Sequence, residues 1–304
     1  MKYNNKQKIT KAVIPVAGLG TRFLPFTKTI PKEMLPILNI PSIEYIVKDA
    51  VNAGIKDIIF VTSARKKALA DYTDSYLWLE DELRKKNKIE ELKLIQFLPK
   101  IANYIFVRQS KQLGLGDAVL KAKYAIGNEP FALLLGDDIL LNNFKNIKND
   151  SILKNLINSY QKYQSIIVLL KKIEGKEIEK YGVVGIEKKI DQKNFLLNSL
   201  IEKPTFKKAP SDLAIMGRYI LEPKIFDYLE KEQIDPNTGE IQLTNAISKY
   251  LLDKNNVYGV LFEGKRYDMG NLLGFLEANI DFALNDKKYR KVFAELLKEK
   301  IKNI

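Results

Sequence analysis

Apolar residues along the chain come in two alternating textures. Short, nearly continuous runs occur at KAVIPV (residues 11–16), DIIFVT (57–62), YIFVR (104–108) and FALLLG (131–136). Runs this unbroken suit strands covered on both faces, as in a parallel sheet. Between them the apolar positions recur at helical spacing. A helix is expected after Pro41 and Ser42, with Ile43, Ile46, Val47, Ala50 and Val51 on one face and Gly54 as its stop. A longer one is expected over roughly 64–86, carrying Leu69, Tyr72, Tyr76, Leu79 and Leu83. A third should follow Gly114-Leu115-Gly116, carrying Ala118, Val119, Ala122 and Ala125. The alternation predicts an α/β fold with a doubly wound, mostly parallel Rossmann-like sheet.

Beyond about residue 165 the pattern loosens into SIIVLLK, YGVVGIE, LLNSLIE, LAIMGRYI and VYGVLFE, with helices near 223–230 and 240–252. No low-complexity linker or internal repeat separates the parts, so a single domain with a smaller C-terminal elaboration is expected. Its halves would be about 8–165 and 166–270, followed by C-terminal helices over 271–304. There Phe275, Leu276, Phe282, Val292, Phe293 and Leu296 could pack on the body or on another subunit.

Composition narrows the chemistry. With 304 residues and 46% hydrophobic content, the chain can bury a sizeable core. No apolar run approaches the roughly 18 to 20 residues of a membrane span, and the polar start MKYNNKQKITK has no apolar signal-peptide core, so a cytoplasmic location without membrane contact is expected. Cysteine is absent, which excludes disulfides, thiolate chemistry and Cys-based zinc sites. Histidine is absent too, which removes the commonest general base and every Ser-His or Cys-His pair. Any chemistry must run on carboxylates, Lys, Arg, backbone amides and a metal. The formal charge of +13 admits attraction to a polyanion, or simply lysines spread over solvated faces; their dispersal along the whole length favours the second.

The densest signal is AVIPVAGLGTRFLPFTKTIPKEMLPI, residues 12–37. A dinucleotide-binding fingerprint would need a third Gly or Ala where Phe23 stands, and Pro25 and Pro31 would interrupt the helix that must open there. No Gly-x-x-x-x-Gly-Lys-Ser/Thr phosphate loop occurs anywhere. What remains is a strand, a turn of small residues Ala17-Gly18-Leu19-Gly20, then Thr21 and Arg22, then a proline-fixed segment around Lys32. Glycines let backbone N–H groups approach phosphate oxygens, and two cations can neutralise a polyphosphate from two sides. Taken alone, a tight turn with an exposed cation would explain Gly-x-Gly-Thr-Arg as well.

This stretch resembles, almost residue for residue, the signature of the bacterial UTP:glucose-1-phosphate uridylyltransferases of the sugar nucleotidyltransferase superfamily, whose fold the chain should share. The resemblance covers about residues 8–295, with poorly matched regions at 140–160 and 187–197. It implies nucleotide contacts from Ala17, Gly18, Gly20 and Thr21, and catalytic charges at Arg22, Lys32 and Lys203. FALLLGDDIL ends an apolar run in two acids that period-two geometry would send to opposite sides. The resemblance selects Asp137 as a ligand of Mg²⁺, with Asp268 of KRYDMGN beside it; an N-cap for the helix from about Asn271 is the alternative for Asp268. It also implies that Gln109 and Gly114 read uracil, that Gly182 lets backbone approach the hexose, and that Glu202 takes sugar hydroxyls. An amide suits the imide edge of uracil, but thymine has the same edge.

The implied partners are UTP and glucose 1-phosphate, with no nucleic acid, in a homodimer or homotetramer. The implied reaction gives UDP-glucose and pyrophosphate. Its nucleophile is a phosphate oxygen, so the absence of histidine is no obstacle. Three positions depart from common family usage: Leu113 for Lys, Asp117 for His and Leu272 for Lys. A related thymidylyl- or cytidylyltransferase is the competing reading within the fold. A catalytically inactive paralogue and a nucleic-acid-binding module are the competitors outside it.

Overall fold

The structure, a computed structural model, describes residues 8–146, 150–236 and 238–302. The polar start at residues 1–7 and the last two residues of the C-terminal stretch lie outside the described residues. The strands are β1 Lys11–Pro15, β2 Pro36–Ile37, β3 Ile40–Pro41, β4 Asp57–Thr62, β5 Asn103–Arg108, β6 Phe131–Leu134 and β7 Asp138–Leu141. They continue with β8 Ile166–Lys172, β9 Gly182–Lys189, β10 Asn194–Glu202, β11 Leu213–Leu221, β12 Val257–Leu261 and β13 Lys265–Asp268.

Nine of these form one sheet in the order β5-β4-β1-β6-β11-β8-β12-β10-β9. The first four are parallel neighbours. Ala12, Val13, Ile14, Ile58, Ile59, Phe60 and Phe131 to Leu134 have no exposed surface, as the unbroken apolar runs require. Alternate residues feed opposite layers: Ile14, Phe60 and Leu134 enter one core, Val13, Ile59 and Leu133 the other.

The expectation of a mostly parallel, Rossmann-like sheet needs correction: the fold is α/β, but the sheet is mixed. Strand β11 runs antiparallel to both β6 and β8, β12 is parallel to β8, and β10 is antiparallel to β12 and β9. Only residues 190–193 join β9 to β10. A connection that short cannot cross over to make a parallel pair.

The helix Ser42–Asn52 buries Ile43, Ile46, Val47 and Ala50 as anticipated. The single helix expected over 64–86 is instead two, Lys67–Thr73 and Leu77–Lys85. The Thr73 hydroxyl turns back onto the carbonyls of Leu69 and Ala70, and Asp74 Oδ1 accepts from Ser75 N. Such side-chain bonds compete with the helical ladder and end it. Two helices not anticipated, Ile89–Ile101 and Leu153–Tyr163, complete the layers. Helix Leu272–Asn285 packs on the body, with Phe275 edge-on to Phe23 at 6.1 Å and Phe282 against Tyr45 at 5.0 Å. Helix Arg290–Ile301 leaves Val292 and Leu296 exposed. Among the described residues no helix is long and apolar enough to cross a membrane.

Strand β1 has β4 on one side and β6 on the other. The chain order therefore reverses at β1, and sheets of this kind place ligands outside the carboxyl ends of their strands at that reversal. Residues 16–35 leave the end of β1 and Asp137 follows the end of β6.

Candidate active site

Prolines do what they were expected to do. Instead of one helix, residues 21–34 form three single-turn 3-10 segments at Thr21–Phe23, Phe26–Lys28 and Lys32–Met34. Gly20 has φ +68°, a conformation that a side chain disfavours, and its carbonyl accepts from Thr27 Oγ1 at 2.7 Å. A Cβ on Gly18 would meet nothing within 4 Å, so its backbone faces open space. Ala17 is buried beneath the turn, and Thr21 and Arg22 are exposed at its rim.

Across from this turn, β7 and β13 pair antiparallel in a register that sets Asp268 opposite Asp138. Asp137 therefore precedes the short strand β7 instead of ending β6, and its carbonyl accepts from Met269 N at 2.8 Å. Gly136 lies so close to β1 that a Cβ there would meet Val16 at 2.8 Å and the Pro15 carbonyl at 2.9 Å. That contact brings the acids to the loop. Lys32 Nζ donates to Asp137 Oδ2 at 2.5 Å, and Arg22 Nη1 donates to the Gly270 carbonyl at 3.4 Å. A Cβ placed on Gly270 would stand 2.8 Å from Asp268 Oδ1, 3.0 Å from Asp137 Oδ2 and 3.7 Å from Arg22 Nη1. Two carboxylates and a guanidinium thus border one small space.

The two adjacent acids do face apart, but not by strand alternation: Asp137 lies in the turn before β7 and Asp138 is the first residue of that strand. Burial alone would push the Asp137 carboxyl up, but Lys32 and then Arg266 outweigh it, so it titrates below its ordinary value. Burial lowers Lys32 as well, yet Asp137 and Glu33 hold it above its ordinary value. Asp138 faces inward: Arg266 Nη2 pairs with its Oδ1 at 2.6 Å, and burial still raises its pKa. Behind Lys32 lies a second pair, Lys66 Nζ on both oxygens of Glu33 at 2.8 and 2.7 Å. Both side chains are buried, which raises Glu33 and lowers Lys66. It ties the Lys32 segment to the residues just after β4.

A third cluster forms on β9 and β10, whose register pairs Gly182 with Glu202. A Cβ on Gly182 would lie 3.2 Å from Glu202 Oε2 and 3.3 Å from Thr244 Oγ1. Lys203 has φ +44°, an uncommon conformation for a side-chain-bearing residue, and its Nζ lies 3.7 Å from Glu202 Oε1. Asp268 is not the helix cap: Asn271 fills that role by accepting from Gly274 N, while Asp268 Oδ1 accepts from Gly270 N.

Gln109 extends the β5 ladder at the carboxyl end of the sheet by donating from its backbone to Thr62 O at 2.8 Å, and the residue is 4% exposed. Gly114, with φ +89°, is dictated by protein packing, since a Cβ there would meet Glu240 Cβ at 2.6 Å. The space it leaves is filled by the chain itself.

The sequence profile of the family described as Nucleotidyl transferase matches residues 11–284. The chain belongs to the nucleotidyl transferase family. This nucleotidyl transferase is 47% identical to UTP–glucose-1-phosphate uridylyltransferase 1 of Staphylococcus saprophyticus, over 96% of this chain and 98% of the relative. It is 44% identical to the Staphylococcus epidermidis UTP–glucose-1-phosphate uridylyltransferase, over 96% and 99%. Among solved structures it resembles a UTP-bound UGPase from Acinetobacter baumannii, with a TM-score of 0.86 and 38% identity over 96% of this chain and 99% of that one.

Several side chains of this nucleotidyl transferase escaped sequence reasoning. Arg266 donates to the Tyr181 hydroxyl at 3.1 Å while pairing with Asp138, and so connects the Lys203 neighbourhood, where Lys203 N donates to Tyr181 O, to the acids. Its position two residues before Asp268 on one strand was the available signal. Thr244, which donates to Glu202 Oε2 at 2.7 Å, comes from a helix start distant in sequence and carried none.

Proposed function

We propose that this nucleotidyl transferase makes UDP-glucose and pyrophosphate from UTP and glucose 1-phosphate. The carrying observation is the meeting of Lys32 with Asp137, across 105 positions of sequence, beside a turn whose glycine backbone is open. The matching relatives over nearly the whole chain support the choice of substrates.

The donor set fits Mg²⁺. Asp137 and Asp268 converge on one space, and among the described residues no third acid, histidine or cysteine joins them. Two carboxylates suit a hard cation that completes its shell with phosphate oxygens and water. Bound there, Mg²⁺ would neutralise charge on the triphosphate as it reacts.

The chain's own groups do the rest. Backbone from Ala17 to Thr21 lies along the polyphosphate, with Arg22 and Lys32 compensating the charge of the departing pyrophosphate. Lys203, held by its backbone at the mouth of the Glu202 cluster, orients the phosphate of the sugar for in-line attack on the α-phosphorus of UTP. Glu202, set by Thr244, accepts sugar hydroxyls, and Gly182 keeps that floor free of a side chain. A phosphate oxygen is already anionic near neutral pH, so no base is required.

The test is pyrophosphate release from UTP, dTTP and CTP, each with glucose 1-phosphate or galactose 1-phosphate, with and without Mg²⁺. UTP with glucose 1-phosphate and Mg²⁺ should give the highest kcat/KM. Turnover favouring dTTP or CTP, or none with any pair, would contradict the proposal.

A further inference from the structure

Asp117 is buried, 3% exposed, in the first turn of helix Gly114–Lys121, a position where a carboxylate is favoured by the helix dipole. Its Oδ1 pairs with Lys121 Nζ at 3.3 Å and its Oδ2 accepts from Gln109 Nε2 at 2.8 Å. The same Nε2 donates to the Gly114 carbonyl at 3.2 Å. Carboxylate and carbonyl oxygens only accept, so the nitrogen of the Gln109 amide must face them. Both amide protons are committed, while the amide oxygen accepts from nothing among the described residues.

We infer that Asp117 is a positioning residue: it locks the Gln109 amide so that only its oxygen is presented to the base, and thereby selects imide pyrimidines over cytosine. The inference rests on the reading of this site as a UTP site. Uracil and thymine carry an N3–H that the Gln109 oxygen can accept. Cytosine carries a bare N3, which would set lone pair against lone pair. Without the lock, the amide can turn its nitrogen outward and donate to cytosine N3. Asn at position 117 can donate or accept, so D117N releases the lock with little change in volume.

The experiment is steady-state kinetics of wild type and D117N with UTP, dTTP and CTP at saturating glucose 1-phosphate. D117N should raise KM for UTP about tenfold, the scale of one hydrogen bond, with kcat within about threefold of wild type. The ratio of kcat/KM for UTP over CTP should fall at least about tenfold, while the UTP to dTTP ratio stays constant, because those bases share an edge. A general loosening of the site would move all three nucleotides together. An unchanged UTP to CTP ratio would overturn the inference and leave the UTP reading intact; a wild-type enzyme inactive with UTP would overturn both. Should D117N fail to fold, solvent exchange of the wild-type Gln109 side-chain amide protons decides: slow exchange of both supports the lock, free exchange of both refutes it.

Discussion

Replacing Lys32 by alanine is expected to lower kcat at saturating substrates by two orders of magnitude or more, with the fold intact. Lys32 is mostly buried, sits on a proline-fixed 3-10 turn, and reaches the carboxylate that faces the cleft. Burial would weaken its positive charge, but Asp137 and Glu33 raise its pKa, so it remains protonated throughout the neutral range. A charge already held in place needs no reorganisation as the pyrophosphate departs. Losing one such contact costs about 3 to 4 kcal/mol in the transition state, which is a hundredfold or more in rate. Buried Lys66 and Glu33 remain to hold the segment, so the circular dichroism spectrum and the KM for glucose 1-phosphate should change little. A turnover number near wild type would remove Lys32 from the mechanism.

The largest loss of stability is expected from Arg218→Met. Arg218 is 1% exposed and donates three ways: Nε to Asp49 Oδ2 at 2.8 Å, Nη1 to the Gly217 carbonyl at 2.9 Å and Nη2 to the Asp138 carbonyl at 3.0 Å. Among the described residues, Asp49 would keep Ser151 Oγ and the backbone N–H of Leu153. Methionine fills much of the volume but leaves a buried carboxylate without its cation, a change that costs about 3 to 5 kcal/mol. Denaturant unfolding should show that loss, and activity should fall because β7 begins at the Asp138 that Arg218 anchors. A change below about 1 kcal/mol would contradict the role given to this ion pair.

The parallel half of the sheet was legible because its strands are buried on both faces and read as continuous apolar runs. The other half was not: whether β11 pairs antiparallel with β6 depends on partners chosen across the chain, which no local pattern encodes. The helix Leu153–Tyr163 had a sufficient signal in Leu153, Leu156, Ile157 and Tyr160, all buried. Helix Ile89–Ile101 had a poorer one, since Leu94 and Phe97 are exposed beside buried Leu92 and Leu98, and Pro99 stands in its last turn. In the site, the residues reached by resemblance were motif residues. Those that were missed, Arg266, Thr244, Lys66 and Arg218, support motif residues from distant elements. Glu202 and Lys203 show the same limit from the other side: as a charged pair before Pro204 they look like surface, and only the β9–β10 register and the positive φ of Lys203 give them a shared floor with Thr244.

The Gly18–Arg22 turn and the Asp137 and Asp268 carboxylates are expected to grip one nucleotide from two sides. A crystal of the protein with UTP and Mn²⁺, with anomalous scattering used to find the metal, tests it most directly. The account predicts manganese on Asp137 and Asp268, with the triphosphate running along residues 18–22. Metal bound away from both carboxylates, or a triphosphate lying elsewhere on the protein, would contradict it.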